Sequence, residues 1–424
     1  MSSFSAVAGA AAQFVKGTPA VYVPVKRFLV PVLRAARHLA AGVSAFVLAR
    51  PPLTGLLLTP VRIDRIDNLE ATGELDQESI AVETVFPDEP LGDRPPRRLD
   101  GEQHWSLREY RSAAGRVAAI ARGRFWLPGL AVTTRNRTYL SDVLRKLSVQ
   151  APQNAIRATP FLRARKLPGV TGLVAADRPE TYFHWMLDLA PKFLLLEAAG
   201  GWSRYDRLVV PPLTQRFQQE TIDCFGVPRA LLDELQTTRL VEAEQLVVPL
   251  IPKPGERVPA WLVRAMAARF CRETPRQDRL IYISRRDSAA RRVENEDEVI
   301  ACLAPFGFEV VTLSGLPVAA QAALFASARV VAGPHGAGFS NLLFCQPGAA
   351  VLEFFSPYYV NFCYWPLAQG AGLSYAYLLG EGPRFPDSVT PSLGSVPMRI
   401  PVKPLRRALD QLLAGKTPDK GVGV

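Results

Sequence analysis

The apolar positions of this chain change rhythm near Val170. Before it, residues 61–100 are polar and broken by Pro87, Pro90, Pro95 and Pro96, a pattern of short strands and loops. Residues 105–150 carry brief apolar segments, such as Arg116–Ile120 and Gly129–Val132, that predict short strands. From Val170 onward longer units alternate. Gly172–Ala175, Asp206–Pro211 and Gln245–Pro249 read as strands, and His184–Ala199 and Gln215–Phe225 as helices. After Pro275 the alternation restarts with a strand at Arg279–Ser284 and a helix at Asn295–Phe306, with Asn295 as N-cap and Glu298 as its capping-box partner. A strand at Glu309–Thr312, a helix at Val318–Ala326, a strand at Ala328–Ala332, a Gly-rich loop, a helix at Phe339–Phe344 and a strand at Ala349–Phe354 follow. Strands alternating with helices predict parallel α/β sheets. The expected organisation is an N-terminal extension over 1–60, an α/β domain over 61–270, a Rossmann-like domain over 276–385, and a tail over 386–424 whose helix Leu405–Leu413 packs back on the body.

Composition sharpens this picture. At 424 residues the chain exceeds one ordinary core, and 48% apolar residues allow two. The formal net charge of +11 favours an anionic partner: nucleic acid, a membrane surface or a phosphate-bearing substrate. No aromatic–basic ladder of a nucleic-acid module is present, so nucleic acid is not expected. The cysteines Cys224, Cys271, Cys302, Cys345 and Cys363 form no C-x-x-C pair and read as buried free thiols in a reducing compartment. The first lysine is Lys16, so the start lacks the basic segment of a signal peptide. The apolar run Leu39–Ala49 is about half a bilayer span. These features predict a cytoplasmic protein, either free or peripheral at the inner membrane. Val32–Leu48 reads as a basic amphipathic helix. Two readings of it stand level: contact with anionic lipid through residues 20–60, or packing on the protein's own surface.

Three clusters carry candidate chemistry. Val330–Asn341 reads as strand, tight turn and helix around Gly333-Pro334-His335-Gly336-Ala337-Gly338. Glycines admit close backbone approach, and a helix start offers free N–H groups to a diphosphate. The spacing fits neither the G-x-G-x-x-G fingerprint nor a P-loop. The run from His335 to Gly338 resembles a lipase oxyanion loop, but no G-x-S-x-G elbow exists in the chain. The second cluster is Ser284-Arg285-Arg286 with Arg291 and Arg292, whose guanidiniums suit phosphate oxygens. In the third, His184 and Asp188 lie four residues apart, so on a helix they share a face, and the carboxylate would orient the imidazole as a base. Glu353 ends a strand near the loop and could bind ribose or sugar hydroxyls; a solvated strand-end charge is the competing reading. No D-x-D metal pair occurs in the second unit.

These motifs, Tyr182–Asp188, Tyr282–Arg286 with Asn295-Glu296, and Gly333–Asn341 with Pro347-Gly348 and Val351–Glu353, occur in the order seen in glycosyltransferase family 61. The chain resembles the bacterial members of that family, of the capsular polysaccharide biosynthesis type, over roughly residues 125–380. The resemblance implies a GT-B-like α/β fold, two Rossmann-like domains facing a cleft, with an inverting reaction and no required metal or cofactor. It implies a nucleotide-sugar donor and a glycan or lipid-linked glycan acceptor. Carried onto this sequence, the donor would meet Arg285 and the loop around His335, Gly336 and Ala337, with Arg291, Arg292, Gly333, Gly338, Asn341 and Glu353 nearby. His184 and Asp188 would face the acceptor. Two other readings compete: a non-catalytic basic scaffold binding polymer or membrane, and a serine hydrolase.

Overall fold

A computed structural model describes residues 62–90, 97–98, 111–126, 131–144, 164–234, 240–251, 258–271, 273–382 and 394–414. The helix expected at Val32–Leu48 and its membrane contact lie outside these residues. No helix among the described residues is long and apolar enough to cross a membrane.

Two sheets organise the described chain. The first is mixed. Its parallel part comprises β1 (Arg165–Leu173), β2 (Arg207–Val210), β3 (Leu232–Glu234) and β4 (Leu240–Leu250), in the spatial order β4-β1-β2-β3. The apolar runs of β2 and β4 are buried almost throughout, as parallel strands covered on both faces require. On its other edge β4 pairs antiparallel with Gly115–Ala121 and Arg124–Trp126. The short segments before Val170 therefore extend the first sheet.

The second sheet is wholly parallel in its main path. β5 (Arg279–Ile283), β6 (Phe308–Val311), β7 (Ala328–Pro334), β8 (Ala350–Phe355) and β9 (Ser374–Leu379) lie in the order β6-β5-β7-β8-β9. Arg97–Arg98, from far upstream, adds an edge strand beside β9. Within this unit the order is 2-1-3-4-5. The chain reverses direction between β5 and β7, and a doubly wound sheet opens a crevice at the carboxyl ends of two such strands.

The expected helices are present with informative differences. After β1 come α1 (Tyr182–His184), a π-helical turn at Trp185–Leu189, and α2 (Ala190–Ala198). Pro191 lacks the N–H that would close an α-turn and would crowd the carbonyl four residues back, which accounts for the wider turn just before it. α3 (Arg216–Cys224) starts with a capping box between Gln215 and Gln218. α4 spans Ala260–Phe270, and α5 is Glu296–Leu303. Asn295 holds the N-cap position of α5 but makes no side-chain cap hydrogen bond to its backbone; its amide donates to Glu298 at 3.2 Å. Its side chain exchanges hydrogen bonds with the backbone of Ile400 and so ties down the tail. α6 is Val318–Ala326 and α7 is Trp365–Gly370. The segment after the Gly-rich loop is a 3₁₀ helix over Ala337–Phe344 instead of the expected α-helix. The tail helix α8 (Val402–Leu413) buries Leu405, Ala408 and Leu409 against Met398, Ile400 and the second sheet. One continuous apolar cluster joins Trp185, Leu189 and Phe193, under the first sheet, to Ile281, Val331 and Phe339 of the second.

Candidate functional site

The switch point of the second sheet holds a cleft of ≈ 580 Å³. Ile283, Ser284 and Arg285 line it from the end of β5, Leu313 and Ser314 from the end of β6, and Ala337 and Gly338 from the loop after β7. Tyr182 and Phe217 close it from the helices of the first sheet. Their rings pack edge to face at 5.3 Å.

Arg285 is fixed before any ligand arrives. Its Nε and Nη2 donate to Ala290 O at 3.2 and 3.0 Å, and Nη2 also donates to Ser288 Oγ at 2.7 Å. Nη1 makes no hydrogen bond among the described residues and lies over Gly336. A Cβ at Gly336 would stand 1.8 Å from that nitrogen, so any larger residue there must displace the guanidinium. Gly333 is spent in the same way: at φ 157° its α-carbon faces Ile283, whose carbonyl oxygen would be 2.9 Å from a Cβ. The glycines thus let the loop close on β5 and Arg285.

Arg291 reaches the same loop from the other side. Its Nε donates to His335 O at 3.0 Å, its Nη1 donates to Gly394 O at 2.8 Å, and its guanidinium stands 5.5 Å from the Tyr359 ring. Neither Arg285 nor Arg291 has a carboxylate ion-pair partner among the described residues. Burial, and then the like charge of Arg291, lower the pKa of Arg285. Both guanidiniums are half-buried and hydrogen-bond only to neutral partners among the described residues, while Asp287 and Glu220 stand in the cleft lining. Ala337 and Gly338, which line the cleft, begin the 3₁₀ helix, and their amides have no carbonyl behind them in that helix. Arg292 is exposed and does not line the cleft. Arg286 is also turned away, pairing with Glu296 and Asp297 at the start of α5.

His335 and Glu353 form a pair across neighbouring strands. Gly333 is in register with Glu353, and His335 Nδ1 lies 2.5 Å from Glu353 Oε1. A carboxylate offers only acceptors, so the facing ring nitrogen carries the proton and Nε2 is left to act. Tyr375 donates its hydroxyl to the other Glu353 oxygen. Glu353 is 0% exposed, with both oxygens engaged. It is therefore not the solvated strand-end charge of the competing reading; its oxygens face His335 and Tyr375. Asn341 likewise takes a supporting place. It is fully buried, accepts the Tyr182 hydroxyl at 2.6 Å and donates to Gln321 at 2.7 Å and to Gly338 O at 3.1 Å. It ties the loop to α1 and α6.

The His184 pair stands beside this cleft, outside its lining. His184 Nδ1 and Asp188 Oδ2 are 2.8 Å apart, both partly buried. Phe183 contacts His184 on one side, with ring centroids 5.1 Å apart, and Tyr364 on the other, at 5.4 Å. Tyr364 in turn packs at 5.3 Å on His335. One aromatic wall thus joins the two imidazoles. Lys192, Tyr375 and Tyr364 escaped the sequence reading. Lys192 alone left a signal there, as a single cation inside the apolar run Leu189–Leu196.

A doubly wound α/β sheet with a cleft and two arginines at its switch point defines a broad class of α/β proteins, and the comparisons narrow it. Residues 182–352 match the family described as Glycosyltransferase 61, a stretch that holds both histidine motifs, Arg285 and Arg291, and ends one residue short of Glu353. An EGF domain-specific O-linked N-acetylglucosamine transferase of Drosophila melanogaster is 35% identical over 100 residues, 23% of this chain and 19% of that protein. The chain thus aligns with about a fifth of the length of that relative. The segment that builds this site is similar to glycosyltransferases of family 61.

Proposed function

We propose that the protein transfers a sugar from a nucleotide-sugar donor to a glycan or lipid-linked glycan, as an inverting enzyme that uses no metal, in surface polysaccharide assembly. The observation that carries the reading is the pair Arg285 and Arg291, half-buried at a glycine loop with no ion-pair carboxylate among the described residues. A donor diphosphate supplies an anion to both. In this reading the nucleotide lies in the cleft between Tyr182, Phe217 and the ends of β5 and β6. Arg285 Nη1 and the amides of Ala337 and Gly338 receive the phosphates. The two sheets act as the halves of a GT-B-like enzyme, with the acceptor on the side of His184.

The chemistry is a single displacement. The acceptor hydroxyl attacks the anomeric carbon opposite the leaving diphosphate and gives its proton to His184 Nε2, whose other nitrogen Asp188 holds. The bond from the anomeric carbon to the diphosphate oxygen breaks, and the charge that appears on the diphosphate falls on preorganised cations. Such donors typically contribute a few kcal/mol each. That arrangement assigns to arginines the work a metal does elsewhere. We place the protein in the cytoplasm or peripherally at the inner membrane, where nucleotide sugars and lipid-linked acceptors meet.

Calorimetric titration with a panel of nucleoside diphosphates, in EDTA, tests the reading. Binding by the parent protein and its loss in Arg285→Ala are expected. Binding that requires added magnesium, or survives in Arg285→Ala, contradicts it.

A further inference from the structure

The wall of a cleft that would receive a diphosphate carries two acids, Glu220 and Asp287, and the protein engages them differently. Both oxygens of Glu220 are taken. Oε1 pairs with Arg216 Nε at 2.5 Å, and Oε2 accepts the amide of Val318 at 2.7 Å, at the start of α6. Asp287 is exposed and engaged through one oxygen. Its Oδ2 accepts the Ser314 hydroxyl, while Oδ1 accepts no hydrogen bond among the described residues.

The sheet accounts for this pair. Ile283, at the end of β5, is in register with Val311, at the end of β6, and the Ser284 amide donates to Val311 O at 2.9 Å. The loops leaving the two strands therefore start side by side. Asp287 comes from the first loop, two residues beyond Arg285, and Ser314 from the second, and both line the cleft. The serine hydroxyl ties the carboxylate to the wall. An ionised carboxylate offers acceptors only, so its open oxygen repels a phosphate and suits a hydroxyl donor. Leu313 and Leu316, on either side of this serine loop, give the same wall an apolar surface.

Resting on the reading of the cleft as a nucleotide site, we propose that Asp287, held by Ser314, accepts the hydroxyls of the nucleotide's ribose and makes the site selective for ribonucleotides over deoxyribonucleotides. The order of groups along a nucleotide matches the order along the wall. The phosphates lie on Arg285, the ribose diol on Asp287, and the base against Leu313, Leu316 and Phe217. Asp287 is thus a specificity-determining residue, and its charge serves the sugar while that of Arg285 serves the phosphates.

The experiment is calorimetric titration of the full-length protein with ADP, GDP, CDP and UDP, then with the 2′-deoxy and 3′-deoxy forms of the tightest binder. The parent should bind the ribonucleotide about tenfold more tightly than at least one deoxy form, the size of one hydrogen bond to a charged group. In Asp287→Ala that ratio should fall to about two or less. Removing a negative charge near the phosphates shifts the affinity for ribo and deoxy forms alike, so the ratio isolates the hydroxyl contact. Continued binding of the deoxy form by Asp287→Ala shows that the variant is folded. A ratio near one in the parent overturns the proposal. So does an unchanged ratio in Asp287→Ala, the mark of an acid that merely latches two loops together. The nucleotide reading fails separately: the parent then binds none of the four diphosphates, and the assignment of Asp287 falls with it.

Discussion

The two histidine–carboxylate pairs of this protein have the same contact and opposite surroundings. His184 and Asp188 lie within one helical run, four residues apart and partly open to solvent. His335 and Glu353 are brought together by the register of β7 and β8, with Glu353 sealed from solvent and its second oxygen held by Tyr375. Burial drives the Tyr375 hydroxyl well above its ordinary pKa, and Glu353 adds to the effect, so it remains a donor. Local geometry alone forms the first pair, whereas the second needs the finished sheet. In the proposed reading the first exchanges a proton with an acceptor, while the second fixes an imidazole against the loop that would meet the donor. On that reading the contrast separates a group placed for proton transfer from one placed to hold a site rigid.

The largest expected effect breaks the buried pair. Removing one partner of a buried, hydrogen-bonded pair leaves the other unsatisfied, which typically costs about 3–5 kcal/mol when the groups are charged. Glu353→Ala should therefore lose about 3 kcal/mol in urea denaturation, against about 1 kcal/mol or less for Asp188→Ala. Equal losses would show that the two environments do not differ in the way described.

Next is Arg285. Arg285→Ala should lower turnover by about 10²-fold, about 2.7 kcal/mol of transition-state stabilisation, with little change in stability because its present partners are a carbonyl and a hydroxyl on a loop. Near-parental turnover would remove Arg285 from the donor site. Gly336→Ala probes the same nitrogen from the opposite side. Its new methyl must displace Arg285 Nη1, so nucleotide affinity should fall by about tenfold, about 1.4 kcal/mol. Unchanged affinity would mean that the guanidinium binds in another orientation.

The difference between the pairs also explains what the sequence could disclose. The i, i+4 spacing of His184 and Asp188 is visible in one turn of helix, and the glycines around His335 announce a tight loop. The strand–helix alternation after Pro275 yields the second sheet almost element by element. The role of Glu353 depends on strand register, and periodicity does not specify which residue of β8 faces which residue of β7. The same is true of Asn341, whose partners Tyr182 and Gln321 come from distant elements. The π turn was hidden because Pro191 acts on a carbonyl whose burial only the folded helix reveals. The 3₁₀ helix after the loop was hidden because its apolar run fits either helical period.

The smallest predicted effect tests how the two regions are joined. The Tyr182 hydroxyl donates to Asn341 across 159 positions of sequence, linking the start of α1 to the donor loop. Burial drives this hydroxyl above its ordinary pKa, so it stays protonated and donating across the physiological range. Tyr182→Phe keeps the ring that lines the cleft and removes only the donor, leaving Asn341 Oδ1 without that bond. A lost hydrogen bond of this kind costs about 1 kcal/mol. If the bond merely stabilises the fold, the loss appears in denaturation and donor affinity is unchanged. If it also holds the loop in its binding position, donor affinity falls by about fivefold as well, and the start of α1 and the donor loop then act as one site.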